Sequence, residues 1–128
     1  MELTQEQIDK INHESPYDQG IFKEPFGIPN DIKEPVVYMR WITGGMSGGS
    51  CWGDKPEHRG SEKEPKWKTL NLILQELKPN LTFLEFQEID ELVRSSEYEN
   101  WGYYGNYTDY TIKFIVLSEL ITLLNSFE

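Results

Sequence analysis

Residues 36–42 read Val-Val-Tyr-Met-Arg-Trp-Ile, and this stretch limits the fold more than any other in the chain. β-Branched and aromatic side chains suit a pleated strand. With a period of two, Val37, Met39 and Trp41 share one face, while Val36, Tyr38, Arg40 and Ile42 share the other. Both faces are largely apolar, so the strand belongs in the interior of a sheet. A second strand follows from the alternation of Tyr110, Ile112, Phe114 and Val116 over residues 108–116.

Helices announce themselves by their ends and by their spacing. Thr4 followed by Gln7 forms a capping box, and Leu3 with Ile8 takes the positions of a hydrophobic staple, so a short helix is expected from Gln5 to about His13. Residues 15–35, with four of the seven prolines, read as an ordered loop or edge segment. Trp67, Leu70, Ile73, Leu74 and Leu77 recur at helical spacing, which predicts an amphipathic helix over residues 66–78 ended by Pro79. Residues 81–86 carry two signals: Thr82 and Glu85 match a second capping box, while the alternation of the same six residues fits a strand. The expected course is a strand followed by a helix over about 87–95. Ser118 offers an N-cap for a closing helix whose apolar residues are Leu120, Ile121 and Leu124, with Leu123 and Phe127 beside them. The expected fold class is α+β: one domain spanning residues 1–128, with a small, mostly antiparallel sheet of three to five strands and helices packed on one face.

Composition then narrows function. The 128 residues carry 22 acidic and 12 basic side chains, a net charge of −10, with 38% hydrophobic and 13% aromatic residues. A chain of this length buries roughly two thirds of its unfolded surface, enough for a core without cross-links. No run approaches the roughly 20 apolar residues of a membrane span, so no membrane association is expected. The first residues lack the basic start and apolar block of a secretory signal, and the lone Cys51 rules out an internal disulfide, so a cytoplasmic setting is expected. The negative balance argues against direct nucleic-acid binding, because Lys63, Lys66 and Lys68 alternate with Glu62, Glu64 and Pro65 and form no basic patch.

Several motifs invite chemical readings. The segment Gly44, Gly45, Ser47, Gly48, Gly49, Ser50 and Trp52 follows the first strand, and its backbone N–H groups could line an anion-binding concavity. Arg40 and Arg59 would then supply charge, and Trp41 or Trp52 a stacking surface, for a nucleotide or other phosphate-bearing ligand. The same glycines also suit a wide hairpin or a bulge. Gly45-Met46-Ser47-Gly48-Gly49 matches the pattern of a nucleophile elbow, but the only downstream histidine is His58, in a polar stretch. Asp54, Glu57 and His58 lack the second cluster a metal site needs. No catalytic residue, cofactor or metal ligand is assigned, because no general base has a positioned partner.

Two features point to a protein partner instead. Tyr98, Trp101, Tyr103, Tyr104, Tyr107 and Tyr110 place six rings in thirteen residues, and such rings concentrate binding energy at interfaces. The charge is also uneven: residues 1–68 hold 12 acids and 9 bases, residues 69–128 hold 10 acids and 3 bases, net charges of −3 and −7. Glu85, Glu88, Asp90, Glu91, Glu97 and Glu99 have only Arg94 among them. Such a face can present carboxylates to a basic cleft.

The runs at residues 40–45, 47–52 and 103–110 resemble the small cytosolic proteins of phages and mobile elements of low-GC Gram-positive bacteria, over about a fifth of the chain. That resemblance implies an acidic inhibitor of host defence or of nucleic-acid enzymes. The expected function is therefore a non-enzymatic acidic protein that engages a basic protein partner through Glu85, Glu88, Asp90, Glu91, Glu97, Glu99, Tyr103, Tyr104 and Tyr107. The alternative is a small-molecule binding or sequestering protein that uses Arg40, Trp41 and the segment from Gly44 to Trp52.

Overall fold

The computed structural model describes residues 2–46, 67–101 and 107–127, with side chains for all of these except 41–46, 99–101 and 107. Four helices and a four-stranded, open antiparallel sheet follow in the order α1 (Gln5–Glu14), β1 (Gln19–Lys23), β2 (Pro35–Met46), α2 (Lys68–Leu77), α3 (Phe83–Asp90), β3 (Arg94–Trp101), β4 (Tyr107–Val116) and α4 (Leu117–Ser126). The strands lie in the order β1-β2-β4-β3. The fold is α+β.

The two strands richest in apolar residues occupy the centre: β2 is largely apolar on both faces, whereas β4 alternates, with Ile112, Phe114 and Val116 on one face and Thr111, Lys113 and Ile115 on the other. Val37 stands opposite Ile115 and Tyr38 opposite Phe114, so each face of the sheet is continuous across β2 and β4. On one face, Ile21, Val37 and Ile115 meet Ile11 of α1, Leu70, Ile73 and Leu74 of α2, Ile89 of α3, and Leu120 and Leu124 of α4. Truncating a residue at the centre of this layer, such as the fully buried Leu120, removes contacts worth about 2–5 kcal/mol.

The other face carries no helix among the described residues. Val36, Tyr38, Ile112, Phe114 and Val116 form a second core there, closed by Ile28 and Ile32 from the proline-rich connection after β1, together with Tyr98. That connection is pinned where it crosses β3: the Ser96 hydroxyl donates to the Gly27 carbonyl. Gly27 sits at a φ of 91°, and a Cβ there would overlap the Ile112 side chain. Glycine is thus required by both backbone and space.

Three local expectations need correction. Residues 81–86 are not a strand: Thr82 caps α3 through both halves of a capping box, with its hydroxyl accepting the Glu85 N–H and the Glu85 carboxylate accepting the Thr82 N–H. The box satisfies two orphan donors at once, which an isolated strand over the same residues would not. The expected helix over 87–95 therefore ends at Asp90, and its last residues open β3. Ser118 does not cap α4, whose N-cap is Val116 without a side-chain bond; the Ser118 hydroxyl donates to Glu34 instead. The Thr4–Gln7 capping box of α1 is present as expected.

Candidate functional site: an acidic, apolar face on the third helix

α3 is a two-turn helix that buries one residue, Ile89. Its remaining large apolar side chains face solvent: Phe83 is 75% exposed, Leu84 70% and Phe86 43%. Scattered apolar residues on a surface need no explanation, but three within four positions do. Phe83 and Phe86, one turn apart, form one wall of a groove of about 460 Å³ against α2. Trp67, Leu70, Ile89 and Val93 give it an apolar lining, and Asn71, Gln87 and Asp90 supply polar groups.

One acidic residue, Asp90, lines this groove, and three more lie on the same helix and its exit turn. Glu88, Asp90 and Glu91 are exposed on α3 and its exit turn, and Glu85 is half-buried in the capping box. Its hydrogen bonds with Thr82 hold the Glu85 carboxyl below the usual range: the bond from the Thr82 N–H contributes most, and slight desolvation opposes it. From Pro79 to Val93 there are four acids and no base. The ion pairs among the described residues, Lys10–Glu76, Lys33–Glu24 and Arg94–Glu119, leave out Glu88, Asp90 and Glu91, while Glu85 also feels the charge of Lys78.

Fold stability does not explain the placement of these charges. A helix C-terminus already carries partial negative charge, and cations are favoured there. α3 has no basic residue in its last turn; Glu88, Asp90 and Glu91 stand there instead.

Glu97 extends the same side of the molecule. It pairs with Thr111 on the edge strand β3, and Thr111, Lys113 and Ile115 alternate on the helix-bearing face. Glu99 lies further along β3, opposite Asp109. Of the expected partner-binding tyrosines, Tyr107 opens β4 opposite Trp101, and Tyr103 and Tyr104 lie outside the described residues.

The residues of the alternative ligand site divide differently. Trp41, Gly44 and Gly45 belong to β2, where Gly44 pairs with Asp109 and Gly45 with Thr108 after a register shift past Ile42. The first two glycines therefore continue a strand through an irregularity, as small residues do at a bulge. Ser47, Gly48, Gly49, Ser50 and Trp52 lie outside the described residues, as do Cys51, Asp54, Glu57, His58 and Arg59. Arg40 is on the face away from the helices. Its guanidinium lies 5.3 Å from the centre of the Tyr110 ring, and Tyr110 stacks on Tyr98 at 4.9 Å. Partial burial pulls the Arg40 pKa down, but the interaction with the Tyr98 hydroxyl and the neighbouring phenols of Tyr98, Tyr38 and Tyr110 outweigh it and hold the group above its ordinary value. Arg40 thus serves an aromatic stack within the sheet.

Among the described residues, no three histidine, cysteine or carboxylate side chains are grouped to hold a metal, and no helix is long and apolar enough to cross a membrane. Sequence reasoning found the acids but missed the groove. The signal was available: once the Thr82–Glu85 box is taken as decisive, Phe83, Phe86 and Asp90 fall on one stripe of a helix. Comparison with protein-family models, curated proteins and solved structures finds no match.

Proposed function

We propose that this chain is a non-enzymatic acidic binding protein that engages a basic protein partner through α3 and the adjoining edge strand. The observation that carries this reading is the set of Glu88, Asp90 and Glu91 at the C-terminal end of α3, where they oppose the helix dipole and form no ion pair among the described residues. A cationic partner supplies the compensation that the helix itself does not. A cationic partner gains from them twice, by faster encounter over roughly a Debye length of 8–10 Å and by pairing on contact. Within this reading the chain acts as an inhibitor carried by a phage or mobile element, occupying the basic cleft of a host defence or nucleic-acid enzyme.

The test is affinity capture from a Gram-positive bacterial lysate at low and moderate salt. It compares the wild type with Glu88→Lys/Glu91→Lys and with Glu2→Lys/Glu14→Lys, which makes the same change in net charge on exposed positions elsewhere. A basic nuclease, polymerase or defence protein recovered by the wild type and by the second variant, but lost with the first, is the expected result. Recovery of no basic protein, or equal recovery by all three chains, overturns the reading.

A further inference from the structure

We infer that the groove between α2 and α3 receives a basic amphipathic helix from the partner, with apolar side chains inserted between the two helices and lysine or arginine flanking them. This rests on the proposed acidic binding function and specifies the shape of what is bound.

Three features of the groove lead there. Its lining is apolar, with Trp67, Leu70, Phe83, Phe86 and Val93 around it, so it favours aliphatic or aromatic anchors over a purely polar chain. Its walls are helices, whose backbone hydrogen bonds are already made internally, so it offers a guest no ladder to join. An extended segment would leave its own N–H and C=O groups unpaired there, whereas a helix arrives with them satisfied. Finally, Asp90 lines the groove and Glu91 follows it on the exit turn, while Glu88 stands on the far side of α3 and adds to the negative field around it. A guest helix with an apolar stripe and basic flanks complements that end of the groove. The eight residues of α3 span roughly 12 Å, matching two to three turns of a partner.

A second copy of this chain is a poor occupant on the same grounds. Its own exposed apolar helix carries carboxylates, and two such faces would bring like charges together at close range.

The probe is a dye-labelled amphipathic peptide of leucine and lysine, followed by fluorescence anisotropy beside a scrambled peptide of identical composition. The wild type should bind the amphipathic peptide and discriminate against the scrambled one. Phe83→Ala/Phe86→Ala should weaken binding at least about tenfold, mainly through faster dissociation. Asn71→Trp, which fills the groove from α2, should weaken it comparably, so the result does not depend on the integrity of α3. Glu88→Lys/Glu91→Lys should instead slow association and flatten its salt dependence. Equal binding of the two peptides, or unchanged binding by both groove variants, overturns the inference; if charge reversal still weakens binding, the acidic face survives without the groove. Insensitivity to all the variants overturns both. Concentration-dependent dimerisation that Phe83→Ala/Phe86→Ala abolishes would place a second copy in the groove and also overturn it.

Discussion

The side-chain carbonyl of Gln19, at the start of β1, accepts the backbone N–H of Thr69 in the first turn of α2 at 3.0 Å. α2 has no side-chain cap of its own, since Trp67 holds the N-cap position at a φ of 61°. A strand residue fifty positions away thus satisfies a donor that a helix normally caps locally. Both partners are buried, and Thr69 is tied again through its hydroxyl to Ser15 at 2.6 Å. Gln19→Leu keeps the bulk but leaves the N–H unpaired, at a cost of about 1–3 kcal/mol in urea unfolding. Because α2 forms one wall of the groove, the same variant should also weaken peptide binding.

Tyr38 carries an alkaline limit to stability. It is 5% exposed, its hydroxyl donates to the Phe26 carbonyl at 2.8 Å, and burial, only partly offset by Arg40, pushes its pKa up to about 12. The fold therefore holds the phenol proton more tightly than the unfolded chain does. This contribution is complete below pH 10.0 and is lost as the pH rises towards 12. Tyr38→Phe should cost about 1 kcal/mol at neutral pH and flatten the fall in stability above pH 10, as followed by denaturant melts across the alkaline range.

The Thr82–Glu85 box should be measurable as a helix cap. Thr82→Ala is expected to destabilise the protein by about 1 kcal/mol and to raise amide exchange in α3 ahead of the sheet. The Glu85 carboxyl is depressed by its hydrogen bonds, so its share of the cap is complete above the ordinary carboxylate range and is lost as the pH falls below that range through the lowered folded value.

Charge reversal at the end of α3 should separate stability from binding. Glu88→Lys/Glu91→Lys places cations where the helix dipole favours them, and a gain of about 0.3–1 kcal/mol is expected in thermal or urea unfolding. The same protein should be the poorest binder of cationic partners. A stabilised chain that binds as well as the wild type would remove the argument that these carboxylates are kept for a partner.

What could be read from residues alone followed from how much signal each element carries. β2 was legible because both its faces are largely apolar, β4 because Tyr110, Ile112, Phe114 and Val116 alternate with polar residues, and α1 because Thr4 and Gln7 fill both halves of a cap. β3 was not: among its described side chains only Tyr98 joins the apolar second core, beside the polar Ser96, so the strand shows no hydrophobic periodicity. The second core under Ile28 and Ile32 was hidden for a related reason, since a proline-rich segment that packs as a loop has neither a helical nor a strand period. For the candidate site, the excess of carboxylates was visible in the composition, but the groove depends on where α2 and α3 lie in space. The Gln19–Thr69 bond that helps to set α2 there has no local signature.

The groove is probed most directly by the footprint of the leucine–lysine peptide on the isotopically labelled protein, read as backbone amide shift changes on titration. Changes are expected in α2 from Leu70 and Asn71, in α3, and in the turn through Val93, with the Arg40–Tyr110 side of the sheet unaffected. Changes centred on Arg40, Tyr98 and Tyr110, or spread evenly over the acidic surface, would contradict this placement.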